Sequence, residues 1–407
     1  MPKDKLLNFE FLSLCFITFL AICNVSVFYN LHLYLRTIGL SGKEAGLTIG
    51  LYSFSAMILY VTASNHISLK NSICCMLTGM LVVVGCGVAY LFAENFWSLA
   101  IVRIVNGAGM FLVMASCMVR LVAIIPPDKT GLAFSLYSVA LLLPYSIMPA
   151  VSEMVMPQTD KPTIIYMLTA GLLLPAVILV LRMRTRASSS YQAPQTKSEK
   201  TYRKNFKKKN LLRKSVASIL LVNAVYFTLF SSLFYLFQGL AVERGIKSPG
   251  FFFTVQMGVM VVIRLLCGRI FDKFSKVALV TIALLITGAG FGLLRVVSDP
   301  TWLLPIAVVF GLGMGLCVPA LNSLMYLVTT PQSRGYNANM MMLALHLGSF
   351  TGPFAGAWII DFGGYDQFLS LALCVTVSAA AFFLVVNPRK GTGQSLSGDN
   401  ISTATVR

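Results

Sequence analysis

The chain has 407 residues, of which 57% are hydrophobic and only 11% charged, with a formal net charge of +18. Soluble domains carry about 25% charged residues, and a mean hydropathy of +0.79 excludes an ordinary water-soluble fold. The basic surplus is not a nucleic-acid footprint, because it sits in short loops between apolar runs and in one linker, the pattern that sets membrane topology.

Twelve apolar stretches follow one another, at 12–35, 45–63, 72–92, 97–121, 131–152, 163–182, 215–240, 250–267, 277–297, 302–325, 337–360 and 367–387. A hydrocarbon core of about 30 Å needs about 20 helical residues. None of the stretches alternates in polarity as barrel strands do, so all twelve are predicted as transmembrane helices. The first follows Lys3 and Lys5 but is too long for a signal-peptide core, and no small-residue cleavage site follows it. Lys and Arg crowd the loops on one side. The other side holds only Arg36, Lys43, Lys161, Arg244, Lys247 and Arg295. The expected topology is therefore multi-pass in the cell (inner or plasma) membrane, with both termini cytoplasmic.

Along the chain, span 1 carries Asn24, Tyr29 and His32 within about 80° of one another on a helical wheel, the pattern of a polar pathway or of interhelical bonds. Span 4 carries Arg103, with Asn106 one turn later. A charge within a span costs about 2.5–3.5 kcal/mol on insertion scales, so Arg103 is expected to face a cavity, a partner or water. Span 5 holds Pro149, a helix-packing candidate, and ends near Glu153; the candidate substrate or proton-pathway residues of the second half are Asn223 and Tyr226 on span 7, Gln256 on span 8 and His346 on span 11. His32 and His346 are candidate proton carriers because an imidazole titrates near neutral pH. The nine cysteines lie in or beside apolar spans without metal-ligand spacing and read as packing residues. The glycine-dense spans contain no phosphate-binding G-x4-G-K-[ST] and read as close helix contacts.

The chain also states one pattern twice. Tyr29 and Tyr235, Gly39 and Gly245, and Thr48 and Thr254 are 206 residues apart, and Gly107 and Gly311, Pro127 and Pro331, and Pro149 and Pro353 are 204 apart. Such a duplication predicts two six-helix bundles about a pseudo-two-fold axis, with a binding site between them. The expected organisation is an N-terminal bundle over 1–182, a basic cytoplasmic linker over 183–214, a C-terminal bundle over 215–390 and a polar, disordered tail over 391–407.

The segment Gly268-Arg269-Ile270-Phe271-Asp272-Lys273-Phe274-Ser275-Lys276 resembles the loop motif G-x-x-x-D-[RK]-x-G-[RK] of the major facilitator superfamily (MFS), with Ser275 for the second Gly. Leu99 to Gly109, with Arg103, Asn106 and Gly107, resembles that family's fourth-span signature L-x3-R-x2-Q-G-x-G, with Asn106 for Gln. The resemblance covers about residues 10–390 and implies the MFS fold: an all-α membrane protein of twelve helices in two pseudo-symmetric bundles. It also implies that Gly268, Arg269, Asp272 and Lys276 grip the opposite half and control switching. The first copy of that loop is eroded, with His66 at the Asp position and Lys70 the one clear survivor. The fifth-span antiporter pattern G-x8-G-x3-G-P-x2-G-G keeps only Pro149, whereas span 11 keeps Gly348, Gly352, Pro353 and Gly356.

The expected function is secondary active transport of a small organic solute by alternating access, with proton-coupled efflux ahead of proton-symporting uptake. A membrane scaffold or sensor that transports nothing is the remaining alternative. No Ser/His/Asp set, metal cluster or paired acids point to an enzyme, and no cofactor is implied. The expected partners are the solute, protons and membrane lipid, with the chain acting as a monomer and binding no nucleic acid.

Overall fold

The computed structural model describes residues 6–126, 129–156, 161–183, 214–266, 274–297, 299–329 and 333–387. Gly268, Arg269 and Asp272, most of the linker and the tail lie outside these residues. The helices are α1 (Phe9–Ser26), α2 (Leu31–Thr37), α3 (Gly42–Thr62), α4 (Ser72–Ala89), α5 (Phe96–Ile124), α6 (Thr130–Val155), α7 (Thr163–Gly171), α8 (Leu173–Arg182), α9 (Lys214–Glu243), α10 (Gly250–Leu266), α11 (Lys276–Val296), α12 (Leu303–Val328) and α13 (Arg334–Val386). No strand occurs among the described residues.

Local chemistry explains where the helices start and break. Ser41 and Glu44 close a capping box on α3, and Asn95 and Ser98 close one on α5, satisfying first-turn amides that lipid cannot. α1 and α2 form one span, joined by a tight 3-10 turn at Val27–Asn30. The Ser26 hydroxyl donates to Ile22 O at 2.9 Å just before it, the back-bonding that bends helices. α7 and α8 likewise form one span, offset at Leu172, where Pro175 has no amide to give to the preceding turn. The repeat is visible in the caps. Gly39 and Gly245 both adopt positive φ (90° and 65°), and both are followed by a six-residue closing bond, Leu40 N to Leu35 O and Ile246 N to Ala241 O. Only glycine enters that conformation freely.

α13 is two spans, not one. Gly364 breaks it with φ 70° and ψ −177°. Asn223 on α9 donates to Met341 O, and Asn387 donates to Ser218, near the start of the same α9. A continuous helix from 341 to 387 would put those ends about 69 Å apart; they meet one end of a single helix, so the chain turns back at Gly364. Among the described residues, ten segments are long and apolar enough to cross a membrane, and Gly250–Leu266 is a shorter apolar helix. Dividing α13 at Gly364 makes twelve apolar segments, the all-α membrane architecture expected from the sequence, with boundaries shifted by a few residues.

Two seams join the N-terminal six spans to the C-terminal six. α3 packs along the first part of α13, and α6 packs along α10. The offset of 204 residues exchanges these seams, as a two-fold relation requires. It also exchanges one close glycine contact in each. Gly46 lies so near Pro353 and Ala357 that an added Cβ would come within 2.9 Å of the Ala357 methyl, and one on Gly250 would come within 2.8 Å of the Pro149 carbonyl carbon. Within the C-terminal half, Gly348, Gly352 and Gly356 form the face that packs on α9, against Ala224, Thr228, Ser231 and Leu236. At the end where the linker attaches, Arg120 ties α5 to the start of α1, to α4 and to the end of α8. It contacts Glu10 Oε1 at 2.6 Å, Ser72 Oγ at 3.3 Å and Met183 O at 3.2 Å.

Gly352→Val should force α13 off α9 and cost about 1–3 kcal/mol, measured as a lower unfolding midpoint of the purified protein. Glu10→Ala leaves Arg120 nearly buried without its carboxylate. Losing one partner of a fully buried pair costs about 3–5 kcal/mol; Glu10 keeps a quarter of its side chain exposed, so a loss nearer 1–3 kcal/mol is expected in the same measurement.

Candidate functional site

Arg103 is the eighth residue of α5, about 10 Å in from the end far from the linker, rather than at the middle of its span. It is 1% exposed. Its Nη2 donates to Ile49 O on α3 at 2.9 Å. The guanidinium lies over the rings of Phe28 (4.6 Å) and Tyr52 (5.0 Å), contacts worth about 2 kcal/mol or more when desolvated. Its other electrostatic neighbours are Tyr90 on the same half and Tyr235 on α9 of the other half. No carboxylate pairs with Arg103 among the described residues. One turn along, Asn106 donates from Nδ2 to Asn24 Oδ1 at a long 3.5 Å.

This cluster leaves polar atoms unspent. Arg103 Nε, Asn24 Nδ2, Asn106 Oδ1 and the Tyr90 hydroxyl are buried without a hydrogen-bond partner. The Tyr90 hydroxyl sits beside the guanidinium without the geometry of a full bond. Each unpaired buried group costs about 1–3 kcal/mol, so four in one place is a concentration that packing alone does not explain.

The C-terminal half treats its polar residues differently. Asn223 donates to Met341 O at 3.0 Å, the Tyr226 hydroxyl to Met314 O at 3.2 Å, and Gln256 Nε2 to Met314 Sδ at 3.2 Å. These bonds tie α9, α10, α12 and α13 together, although Asn223 Oδ1 and Gln256 Oε1 remain unpaired. The structure thus brings Asn24, Arg103 and Asn106 together and leaves Asn223, Tyr226 and Gln256 in a separate set.

Aromatic rings of the two halves pack against one another. Tyr29 packs against Phe234 at 5.9 Å and Phe253 at 5.5 Å, and Tyr145 packs against Phe230 and Phe234. The Tyr29 hydroxyl donates to Glu153 Oε1 at 3.0 Å, and the same oxygen accepts the Gly250 amide at 2.6 Å. Glu153 therefore binds the N-terminus of a helix from the opposite half, where the helix dipole favours a negative charge. The other seam has its counterpart: Asp361 accepts the Lys43 amide at 3.2 Å, in the first turn of α3, and pairs with Arg36 at 3.5 Å. Both carboxylates lie at the end far from the linker, each on a helix start of the other half.

The remaining candidates are dispersed. His32 is 6% exposed, with Nε2 unpaired, near Arg36 and Asp361. His346 stacks on Tyr60 across the α3–α13 seam, ring centroids 5.0 Å apart. His66 and Lys70 are exposed, and the bonds of their loop are internal, such as Asn71 Nδ2 to His66 O. Lys276 opens α11. Sequence reasoning left Glu153 outside the site; its signal was an acid one turn beyond Pro149. It also left out Tyr90, whose only signal was a tyrosine at the end of span 3. No group of His, Cys, Asp or Glu among the described residues is arranged to hold a metal.

Two bundles joined by two-fold-related seams around buried polar groups define a transporter-like membrane fold. The family description "Major Facilitator Superfamily" matches residues 12–344 and 248–405, and the chain belongs to that superfamily. The multidrug resistance protein MdtH of Aeromonas hydrophila subsp. hydrophila is 30% identical over 143 residues, covering 33% of this chain and 36% of that protein. An uncharacterized MFS-type transporter of Salmonella typhimurium is 28% identical over 146 residues, covering 35% and 37%. These matches span little more than a third of either relative. The same fold occurs in a POT family transporter in complex with 5-aminolevulinic acid (TM-score 0.76, 12% identity, covering 95% of this chain and 98% of that one). It occurs also in a bacterial homolog of the human lysosomal transporter Spinster in an inward-facing conformation (TM-score 0.72, 14% identity, covering 93% and 96%).

Replacing Glu153 with Ala removes a charge-assisted bond worth about 1.5–3 kcal/mol. Hydrogen exchange at Gly250 should accelerate roughly 10–100-fold, while peptides from α11 keep their wild-type rates.

Proposed function

We propose that this chain exports a small organic solute across the bacterial inner membrane in exchange for protons, acting as a monomer with both termini cytoplasmic. The observation that carries this is the pair of exchangeable Gly–Pro seams enclosing Arg103 and its unpaired neighbours. Small residues at both seams let either end part by a rigid rocking of the halves, the usual route to alternating access. The multidrug resistance naming of the MdtH relatives supports export over uptake.

In this mechanism the solute binds beside Arg103, Asn106 and Asn24. Glu153 carries the proton. Ionised, it holds the start of α10 and accepts from Tyr29, keeping the far end shut. Protonated, it loses its charge for the helix terminus and its capacity as a strong acceptor, and the far end opens. His346, at the linker-side part of the other seam, stands as an alternative proton site. The basic loop containing Gly268, Arg269, Asp272 and Lys276 governs the opposite gate.

The test uses the purified chain in proteoliposomes, with flux of fluorescent dyes and aromatic acids followed under an imposed pH gradient. Wild-type flux should rise several-fold with the gradient and collapse with an uncoupler. Glu153→Gln should retain solute counterflow but lose the response to the gradient. Wild-type flux indifferent to the gradient would overturn proton coupling, and accumulation driven in the opposite sense would reverse the direction.

A further inference from the structure

We infer that the buried cluster around Arg103 recognises an aromatic organic anion when the halves part, its acidic group on the guanidinium and its ring among the aromatic side chains. This deepens the transport function proposed above and rests on it.

The charge balance of the site comes first. Arg103 is a 1%-exposed cation with no carboxylate partner among the described residues. Its neighbours are a backbone carbonyl, two ring faces and tyrosines, none of which neutralises it. A guanidinium offers five N–H donors; here one goes to Ile49 O, and the hydroxyls of Tyr90 and Tyr235, both uncharged, lie beside the others. An anion is the ligand whose binding supplies the missing charge.

The donor set comes second. The unspent atoms are mostly donors: Arg103 Nε, Asn24 Nδ2 and the Tyr90 hydroxyl proton. Asn106 lies one helical turn from Arg103 on the same face of α5 and contacts Asn24 of α1, so the amide pair adjoins the guanidinium. Several converging donors around a cation match an oxygen-rich acidic group, a carboxylate or sulfonate, and mismatch an ammonium, which brings donors of its own.

The walls come third. Phe28 and Tyr52 present ring faces to Arg103, and Tyr90 lies 5.1 Å from Phe28. Tyr235 completes the surround from the other half. A flat apolar body can stack on aromatic side chains of both halves at once, which a small inorganic anion cannot do.

Isothermal titration calorimetry on the full chain in lipid nanodiscs tests this with three probes: naphthalene-2-sulfonate, its uncharged analogue naphthalene-2-sulfonamide, and inorganic phosphate. The sulfonate should bind at least tenfold more tightly than either of the others. Arg103→Gln should weaken the sulfonate at least thirtyfold and leave the sulfonamide within threefold, while Arg103→Lys keeps part of the preference. Equal affinity for sulfonate and sulfonamide in the wild type would overturn the proposal, and so would no sulfonate binding, even if Arg103→Gln failed to fold. Tighter binding of phosphate would mean an inorganic-anion site. Counterflow in proteoliposomes separates this from the transport function: carriage of 2-naphthylmethylammonium but not of the sulfonate leaves a transporter and removes the anion, whereas no carriage of any compound removes the transporter.

Discussion

Close approach of two glycines to two prolines is the contact on which the assembly of this molecule depends. Gly46 against Pro353 and Gly250 against Pro149 bring backbones from opposite halves together where lipid supplies no hydrophobic drive between helices. With dispersion as the main attraction, proximity sets its strength, and a side chain at either glycine would remove it. The duplication exchanges the two contacts, and the α6–α10 seam adds hydrogen bonds of its own: Ser146 and Thr254 each donate to the other's carbonyl, and Ser135 donates to Arg264 O. A seam of this kind can separate without leaving polar backbone exposed, since each helix satisfies its own amides.

Around that common frame the halves have diverged. The C-terminal half spends Asn223, Tyr226 and Gln256 on bonds that stitch its helices together, two of them converging on Met314. The N-terminal half keeps Arg103, Asn24 and Asn106 poorly satisfied. The diverged tyrosines fit the same division: Tyr29 crosses to the C-terminal rings and Tyr235 crosses to Arg103.

Much of this was legible in the sequence. The apolar runs laid out the spans, and the offsets between Gly39 and Gly245 and between Pro149 and Pro353 marked the duplication; that the first pair caps helices and the second packs at the seams became visible only in the structure. Arg103 was legible because a charge in a span is costly. Its surroundings were not. Tyr90 is thirteen residues away on another helix and Tyr235 lies in the other half, so only the packing of helices reveals that they meet. Glu153 read as an acid at a membrane surface, and its partner is a backbone amide, which no sequence pattern marks. The roles of Asn223 and Gln256 were equally closed to sequence reasoning, since a polar residue on an inner helix face serves a pathway or a neighbouring helix alike.

The tight turn at Val27–Asn30 has a consequence for how the parts communicate. Three residues per turn send consecutive side chains in three directions: Phe28 to the guanidinium of Arg103, Tyr29 to Glu153 and the opposite half, and Asn30 to the Tyr166 hydroxyl of the sixth span. The Arg103 cluster, the seam and the bundle wall are thus all contacted by one stretch of four residues. Relaxing that turn toward α-helical pitch would swing all three side chains together. The Arg103 cluster and the seam at Glu153 are therefore joined through adjacent residues of one turn, so a change in its winding would reach both at once.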